Sequence, residues 1–160
     1  MNQELDNPFW ASLNTRHREL AIRGAEWARY PAEYAPFLGV AHANVDVTKV
    51  LQPGEQVFAL GVLPKIPQDW TVQTFQPLAQ MICEQPITMV DGPELTPLTD
   101  QHRADVLNLT ALVYPHYFRH RTMDMGRYFG IYQDGRLAAM IGERLGTDHS
   151  QEMSAICTHP

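Results

Sequence analysis

The hydrophobic positions of this chain change their spacing several times, and each change marks an element. Phe9, Trp10 and Leu13 recur at helical spacing behind Asn7-Pro8, a cap residue followed by proline at the first helical position. Thr15 can cap a second helical stretch carrying Leu20, Ala21 and Trp27, weakened by Gly24. Tyr30-Pro31 and Ala35-Pro36 end helical character, because the residue before a proline avoids the α region. Phe37 to Ala43 then reads as a short strand, and Gln52-Pro53-Gly54-Glu55 has the Pro-Gly order of a type II turn. Gln56 to Leu63 is apolar and β-branched enough for a strand, closed by Pro64 and Pro67. Trp70 to Phe75 alternates in part and predicts another strand. Pro77 to Cys83 fits strand or helix, and its shortness between prolines favours strand.

Asp91-Gly92-Pro93 and Pro97 interrupt the chain and place a division near residue 95. Beyond it the pattern sharpens. Thr99 or Asp100 caps a helix to about Val113, with Val106, Leu109 and Val113 on its apolar face and Tyr114-Pro115 as its stop. A loop rich in aromatics and histidine runs from Tyr114 to Arg121, and Thr122 caps a short turn from Met123 to Gly126. Tyr128 to Tyr132 and Leu137 to Gly142 flank Asp134-Gly135, a two-residue hairpin signal. That turn sets Tyr132 opposite Leu137 and Phe129 opposite Met140. Both strands are apolar nearly throughout, which asks for cover on both faces. Glu152 to Thr158 predicts a third strand. The expected class is α/β (α+β): a helix-plus-strands part over 1–95, then a part over 96–160 built on an antiparallel hairpin and a third strand.

Composition narrows the class. At 44% hydrophobic and 19% charged, the 160 residues are too apolar for a disordered chain. No run approaches the ~18 apolar residues of a membrane helix. Met1 to Asp6 is polar and carries Glu4 and Asp6, unlike a secretory leader. Cys83 and Cys157 are too few for a disulfide framework, and each reads as a buried apolar thiol in a cytoplasmic, reduced protein. The net charge of −6 argues against nucleic-acid and membrane partners. The charge is uneven: residues 1–95 hold 6 basic and 11 acidic groups, and residues 96–160 hold 6 and 7, which points to two different units.

The ordered set of words from Thr96 to Pro160 resembles the FR47-like branch of the GNAT superfamily of N-acetyltransferases. The words are Leu107-Asn108-Leu109-Thr110-Ala111-Leu112, Arg121-Thr122-Met123 with Gly126-Arg127-Tyr128, and Asp134-Gly135-Arg136-Leu137-Ala138-Ala139-Met140. Glu152-Met153-Ser154-Ala155-Ile156-Cys157-Thr158-His159-Pro160 completes them. Asn7-Pro8-Phe9-Trp10, Arg29-Tyr30-Pro31 and Pro36-Phe37 resemble the N-terminal extension of such proteins. The resemblance implies the first half of an acetyltransferase domain and transfer of an acetyl group from acetyl-CoA to a small-molecule or peptide amine. It implies that Ile156, Cys157 and Thr158 lie on the strand whose backbone pairs with the pantetheine arm, much as an added strand would. Such enzymes follow this strand with an Arg/Gly-rich turn that opens a long helix and holds the pyrophosphate. Nothing follows Pro160 here, so the expectation is a front portion cut before that turn, inactive alone. The rival is a non-catalytic interaction module that recruits a partner by strand addition. The apolar edge at Ala155, Ile156 and Cys157 favours self-association on either reading.

Glu152, at the start of the third strand, is the candidate catalytic base toward an ammonium substrate, against a solvated strand-end charge. Tyr114, His116, Tyr117 and Phe118 are the candidate acceptor-binding residues, because aromatic loops offer rigid faces with polar tips. The plainer alternative has Tyr117 and Phe118 plugging the core. His116 and His120 lack a third ligand at metal spacing, so no metal is expected. Arg119, Arg121 and Arg127 make a weak basic patch beside Asp124. Cys157 and His159 share one strand face, but a buried structural thiol is the commoner case. Glu143 and Arg144 read as structural ion-pair residues, and Trp10, Trp27 and Trp70 as packing residues.

Overall fold

The computed structural model describes residues 3–88 and 90–160, so the first two residues of the Met1–Asp6 stretch lie outside the described ones. A short α1 (Gln3–Asp6) leads into α2 (Pro8–Asn14), which has Pro8 at its first position as predicted. Asn7 does not cap it through its side chain. Its Nδ2 instead donates to the Val40 carbonyl at 2.8 Å, tying the helix start to a strand 33 residues away. Phe9 and Leu13 bury the inner face of α2.

The second helix expected from Thr15 does not form. Thr15 Oγ1 donates back to the Ala11 carbonyl at 2.7 Å, so it closes α2 rather than opening a helix. A 3₁₀ turn at Arg18–Leu20 follows, then β1 (Ile22–Arg23) and β2 (Trp27–Arg29). Gly24 N–H donates to the Trp27 carbonyl at 2.9 Å, so the glycine that weakened the helix makes the turn between two strands. β3 (Leu38–Val40) completes an antiparallel sheet in the order β1-β2-β3. A Cβ at Gly39 would collide with the backbone of Phe9 and Trp10, which is why α2 can lie directly on β3.

From 41 to 95 the described residues form turns and coil. Gln56–Leu63, predicted as a strand, supplies one parallel bridge, Phe37 to Phe58. Phe58 N–H donates to Pro36 O at 2.7 Å, and Leu38 N–H donates to Phe58 O at 3.0 Å. Trp70–Phe75 and Pro77–Cys83 find no sheet partner, and Val72, Phe75, Leu78, Met81 and Ile82 are each more than half exposed. Cys83, expected to be buried, is exposed. Strand-forming residues become a strand only where another backbone lies alongside, and periodicity does not supply that backbone.

The second sheet starts earlier than predicted, with β4 (Thr96–Leu98) at its edge. Pro97, read as a breaker, is tolerated there because an edge strand can spare one N–H. Thr99 caps a 3₁₀ turn (Asp100–His102) that runs into α3 (Arg103–Val113), with His102 Nδ1 accepting the Thr99 N–H at 3.0 Å. Val106 and Leu109 are buried on α3, as their spacing predicts. A 3₁₀ turn at Thr122–Met125 leads to β5 (Tyr128–Gln133), β6 (Arg136–Gly146) and β7 (Gln151–Thr158). The sheet is antiparallel in the order β4-β5-β6-β7.

Asp134 and Gly135 have φ of 52° and 74°, the two positive values the predicted turn requires. Tyr132 pairs with Leu137 as expected, but Phe129 pairs with Ile141 rather than Met140. Ala138 is the extra residue: Ile131 opposes Ala139 while Tyr132 opposes Leu137, so a bulge shifts the register. Leu98, Val106, Leu109, Tyr128, Leu137, Met140 and Cys157 form the core under α3. Another cluster joins Phe9, Leu13, Tyr30 and Phe37 to Met125 and Leu145, so it draws side chains from both sides of residue 95. The chain is thus mixed α/β with few helices and two antiparallel sheets.

Candidate functional site

β7 is an edge of its sheet among the described residues, and it carries a bulge. Met140 pairs with Cys157 and Gly142 with Ser154, so Ala155 and Ile156 together oppose Ile141. Ala155 takes φ of 51°, one of two positive-φ positions without glycine among the described residues. The left-handed region costs an L-residue about 1–2 kcal/mol, so the surrounding structure must hold it there. A bulge leaves peptide groups without ladder partners and re-aims them, a local geometry common beside active sites. Sequence reasoning missed it, because the usual signal for such a bend is glycine and the residue here is alanine.

Around this bulge the candidate residues take different places. Ile156 is 60% exposed, and its carbonyl accepts the Tyr114 hydroxyl at 2.8 Å. Cys157 turns inward to the core, and burial pushes its thiol pKa up. It is therefore a poor nucleophile near neutral pH. His159 is exposed and makes no hydrogen bond to it, its Nδ1 lying 3.0 Å from Pro160 O. Thr158 is exposed at the strand end opposite Ala139.

Glu152 sits on β7 before the bulge, gripped by Arg144 of β6: Nη2 to Oε1 is 2.9 Å and Nε to Oε2 is 3.3 Å. The Arg144 guanidinium also lies over the Phe37 ring, 4.9 Å from its centroid. The N-terminal region therefore reaches the sheet face on which the candidate base is held. Glu143, its sequence neighbour, belongs to the opposite strand face and pairs with Arg127. Both ion-pair residues read from the sequence are paired, each with a different partner.

The aromatic loop divides its labour. Tyr114 closes α3 and bonds β7, and Phe118 packs edge-on against Tyr128 at 5.9 Å in the core under α3. Tyr117 faces the other way, its ring tilted against Phe58 at 4.9 Å, and Phe58 in turn lies 5.9 Å from Phe75. His116 is exposed and has no partner among the described residues. An open cleft of about 530 Å³ adjoins this loop, lined by Arg29, Glu33, Pro36, Glu55, Gln56 and Arg119. Arg29 is bound to Glu55, and that guanidinium holds the Glu55 carboxyl below the usual carboxylate range. Arg121 pairs with Asp124 and stacks on Tyr34, so of the predicted basic patch only Arg119 lacks a side-chain partner.

A helix, an aromatic loop, a hairpin and a bulged third strand, in that order, make a GNAT-like fold. Among solved structures, the chain is similar to an acetyltransferase of the GNAT family from Novosphingobium aromaticivorans DSM 12444. The TM-score is 0.79 and the identity 27%, over 98% of this chain and 71% of that one. No family model matches the chain, and no curated protein matches it. No helix among the described residues is long and apolar enough to cross a membrane.

Proposed function

We propose that this chain belongs to an N-acetyltransferase of the FR47-like type, which moves an acetyl group from acetyl-CoA to an amine. The carrying observation is the bulge at Ala155–Ile156 on an edge strand, in a chain similar in structure to a GNAT-family acetyltransferase. The backbone of Ile156, Cys157 and Thr158 binds the pantetheine arm along the open edge. Peptide N–H groups at the bulge stabilise the oxyanion that forms when a neutral amine attacks the thioester carbonyl. The carbon–sulfur bond then breaks, and CoA leaves as the thiol after taking the proton the amine gives up.

Glu152, held by Arg144, takes the proton from the incoming ammonium, directly or through one water. His116 and Tyr117 face the acceptor from the loop, with Phe58 and Phe75 extending the aromatic surface. Tyr114 and Phe118 act from within, on the strand and the core. The acceptor is a small-molecule or peptide amine, and the protein works in the cytoplasm on the reading that its thiols stay reduced. Residues 96–160 are the acetyltransferase part, and residues 1–95 cover one end of its sheet.

The Arg/Gly-rich pyrophosphate turn is not among these 160 residues. The polypeptide as it stands therefore binds acetyl-CoA at millimolar rather than micromolar strength, since the strand contributes without the helix N-terminus. Calorimetry on the purified chain tests this. A micromolar dissociation constant overturns the reading that tight binding needs that turn, and no binding even at millimolar acetyl-CoA overturns the cosubstrate reading.

The exposed edge of β7 supports a second reading, an interaction module without catalysis that pairs with a partner strand or with its own copy. Sedimentation across a concentration series separates the two. Self-association that acetyl-CoA does not affect favours the module.

A further inference from the structure

We propose that Tyr114 is a positioning residue that holds the β7 bulge in its left-handed form, and so keeps the edge ready for the thioester. The inference rests on the acetyl-CoA reading for its purpose, but not for its geometry.

Ala155 has φ of 51° without the freedom glycine has there. On one side β6 constrains it, through the Met140–Cys157 and Gly142–Ser154 pairs that bracket the extra residue. On the other side β7 has no neighbouring strand among the described residues. What reaches the bulge from elsewhere is the Tyr114 hydroxyl, which donates to the Ile156 carbonyl at 2.8 Å across 42 residues of sequence.

Tyr114 is itself anchored. Its N–H donates to Thr110 O at 2.6 Å as the last bond of α3, and its ring packs on the core that contains Cys157. Burial raises the phenol's pKa, with the neighbouring Cys157 adding to it, so the hydroxyl stays protonated and able to donate. The bond also shows which way the Ile156 carbonyl points. It lies within reach of the tyrosine at a residue that has no register partner on β6. A ligand arriving at this edge finds one lone pair of that carbonyl taken, with the other left to accept.

The test is a double-mutant cycle on the 160-residue chain with Tyr114→Phe, Ala155→Gly and both together. Amide hydrogen exchange at residues 155–157, read by NMR, reports the bulge. In the otherwise wild-type chain, Tyr114→Phe should speed exchange there about tenfold, the loss of one neutral hydrogen bond. Amides pairing β5 with β6 should stay within about twofold. In the Ala155→Gly background the same change should have less than about a twofold effect, because glycine adopts the conformation unaided. Equal effects in both backgrounds mean that the bond acts independently of the Ala155 conformation, and no effect in either means that the tyrosine only packs; both overturn the proposal. A separate arm titrates coenzyme A at millimolar concentration. Shifts at 156–158 that weaken with Tyr114→Phe support the purpose assigned. A successful cycle in which coenzyme A moves no β7 resonance leaves the tyrosine's role standing and overturns the cosubstrate reading.

Discussion

Protonating His17 is expected to destabilise the fold, and the size of the effect follows from where the ring sits. His17 is 4% exposed, between α2 and the 3₁₀ turn that follows it. Its Nδ1 lies 2.8 Å from the Tyr30 hydroxyl and 3.2 Å from Ser12 Oγ, which are themselves 2.9 Å apart. Ser12 Oγ also accepts the Gly146 N–H at 3.3 Å, so the network joins α2 and the residue that follows β2 to the end of β6. No carboxylate pairs with the ring among the described residues. Burial lowers its pKa from 6.5; a bond to the Met125 backbone opposes this, and Arg16 reinforces it. Arg144 and Glu152 act on the Tyr30 end of the network with opposite signs. The unfolded chain therefore binds this proton at a higher pH than the folded one. Stability is intact above pH 6.5, falls as pH drops below it, and levels off beneath the folded value. For one proton the slope in that window reaches at most about 1.4 kcal/mol per pH unit. Carboxylates held low, such as Glu55 and Glu143, lose their contribution only at more acid pH. Urea unfolding followed by tryptophan fluorescence between pH 5 and 8 measures the slope. His17→Gln should be less stable at pH 8 by about 1–3 kcal/mol, the cost of disturbing a buried network, with the gap to wild type closing toward pH 5. Parallel curves for the two proteins would refute the reasoning.

Other consequences are simpler. Arg127→Ala leaves the buried Glu143 carboxylate with the residue-127 backbone N–H but no cation, and should lower the urea midpoint, moderated because the Arg127 side chain is 74% exposed. Glu143→Gln should cost less, and a larger loss from it would contradict that account. Gly39→Ala should lower stability by about 1–3 kcal/mol, because the added methyl meets the α2 backbone and not a flexible side-chain end. A neutral result there would mean that α2 does not lie on β3. A thiol reagent under native conditions should label Cys83 rapidly and Cys157 slowly, since one is exposed and the other is buried with its pKa raised. Cys83→Ser should remove the fast phase and leave the slow one.

How much of this was legible in the sequence depended on whether an element's partner is near in the chain. The hairpin at Asp134-Gly135 is local: two residues fix the turn, and the turn fixes the first pair, Tyr132 with Leu137. Even there the register failed at the next residue, Ile131, because the Ala138 bulge leaves no mark in composition. α3 was readable for the same reason, its apolar face and Tyr114-Pro115 stop lying within one helix. The segments Gln56–Leu63, Trp70–Phe75 and Pro77–Cys83 look like strands residue by residue, yet their state depends on neighbours the sequence does not name. The candidate site divides similarly. The strand carrying Ile156, Cys157 and Thr158 was expected from the residue pattern and its role from the resemblance, while its bulge, the Arg144 grip on Glu152 and the Tyr114 bond across 42 residues were not expected.

A further set of unforeseen contacts runs between the two stretches that composition and breakers separate near residue 95. Thr122 Oγ1 donates to Tyr34 O at 2.6 Å, Arg121 N–H to Glu33 O at 2.9 Å, and Gly146 N–H to Ser12 Oγ. Met125 and Leu145 are 4% exposed only because Phe9, Leu13 and their neighbours cover them. Burying such side chains contributes about 1.5–3 kcal/mol each, so this contact is part of what holds the second sheet. It also ends at the candidate site, where Phe37 lies under the Arg144 guanidinium that grips Glu152. The same packing that completes the core thus fixes one wall beside the bulged strand. A change in the first forty residues that loosens Phe37 is felt at Glu152 before it is felt at the hairpin.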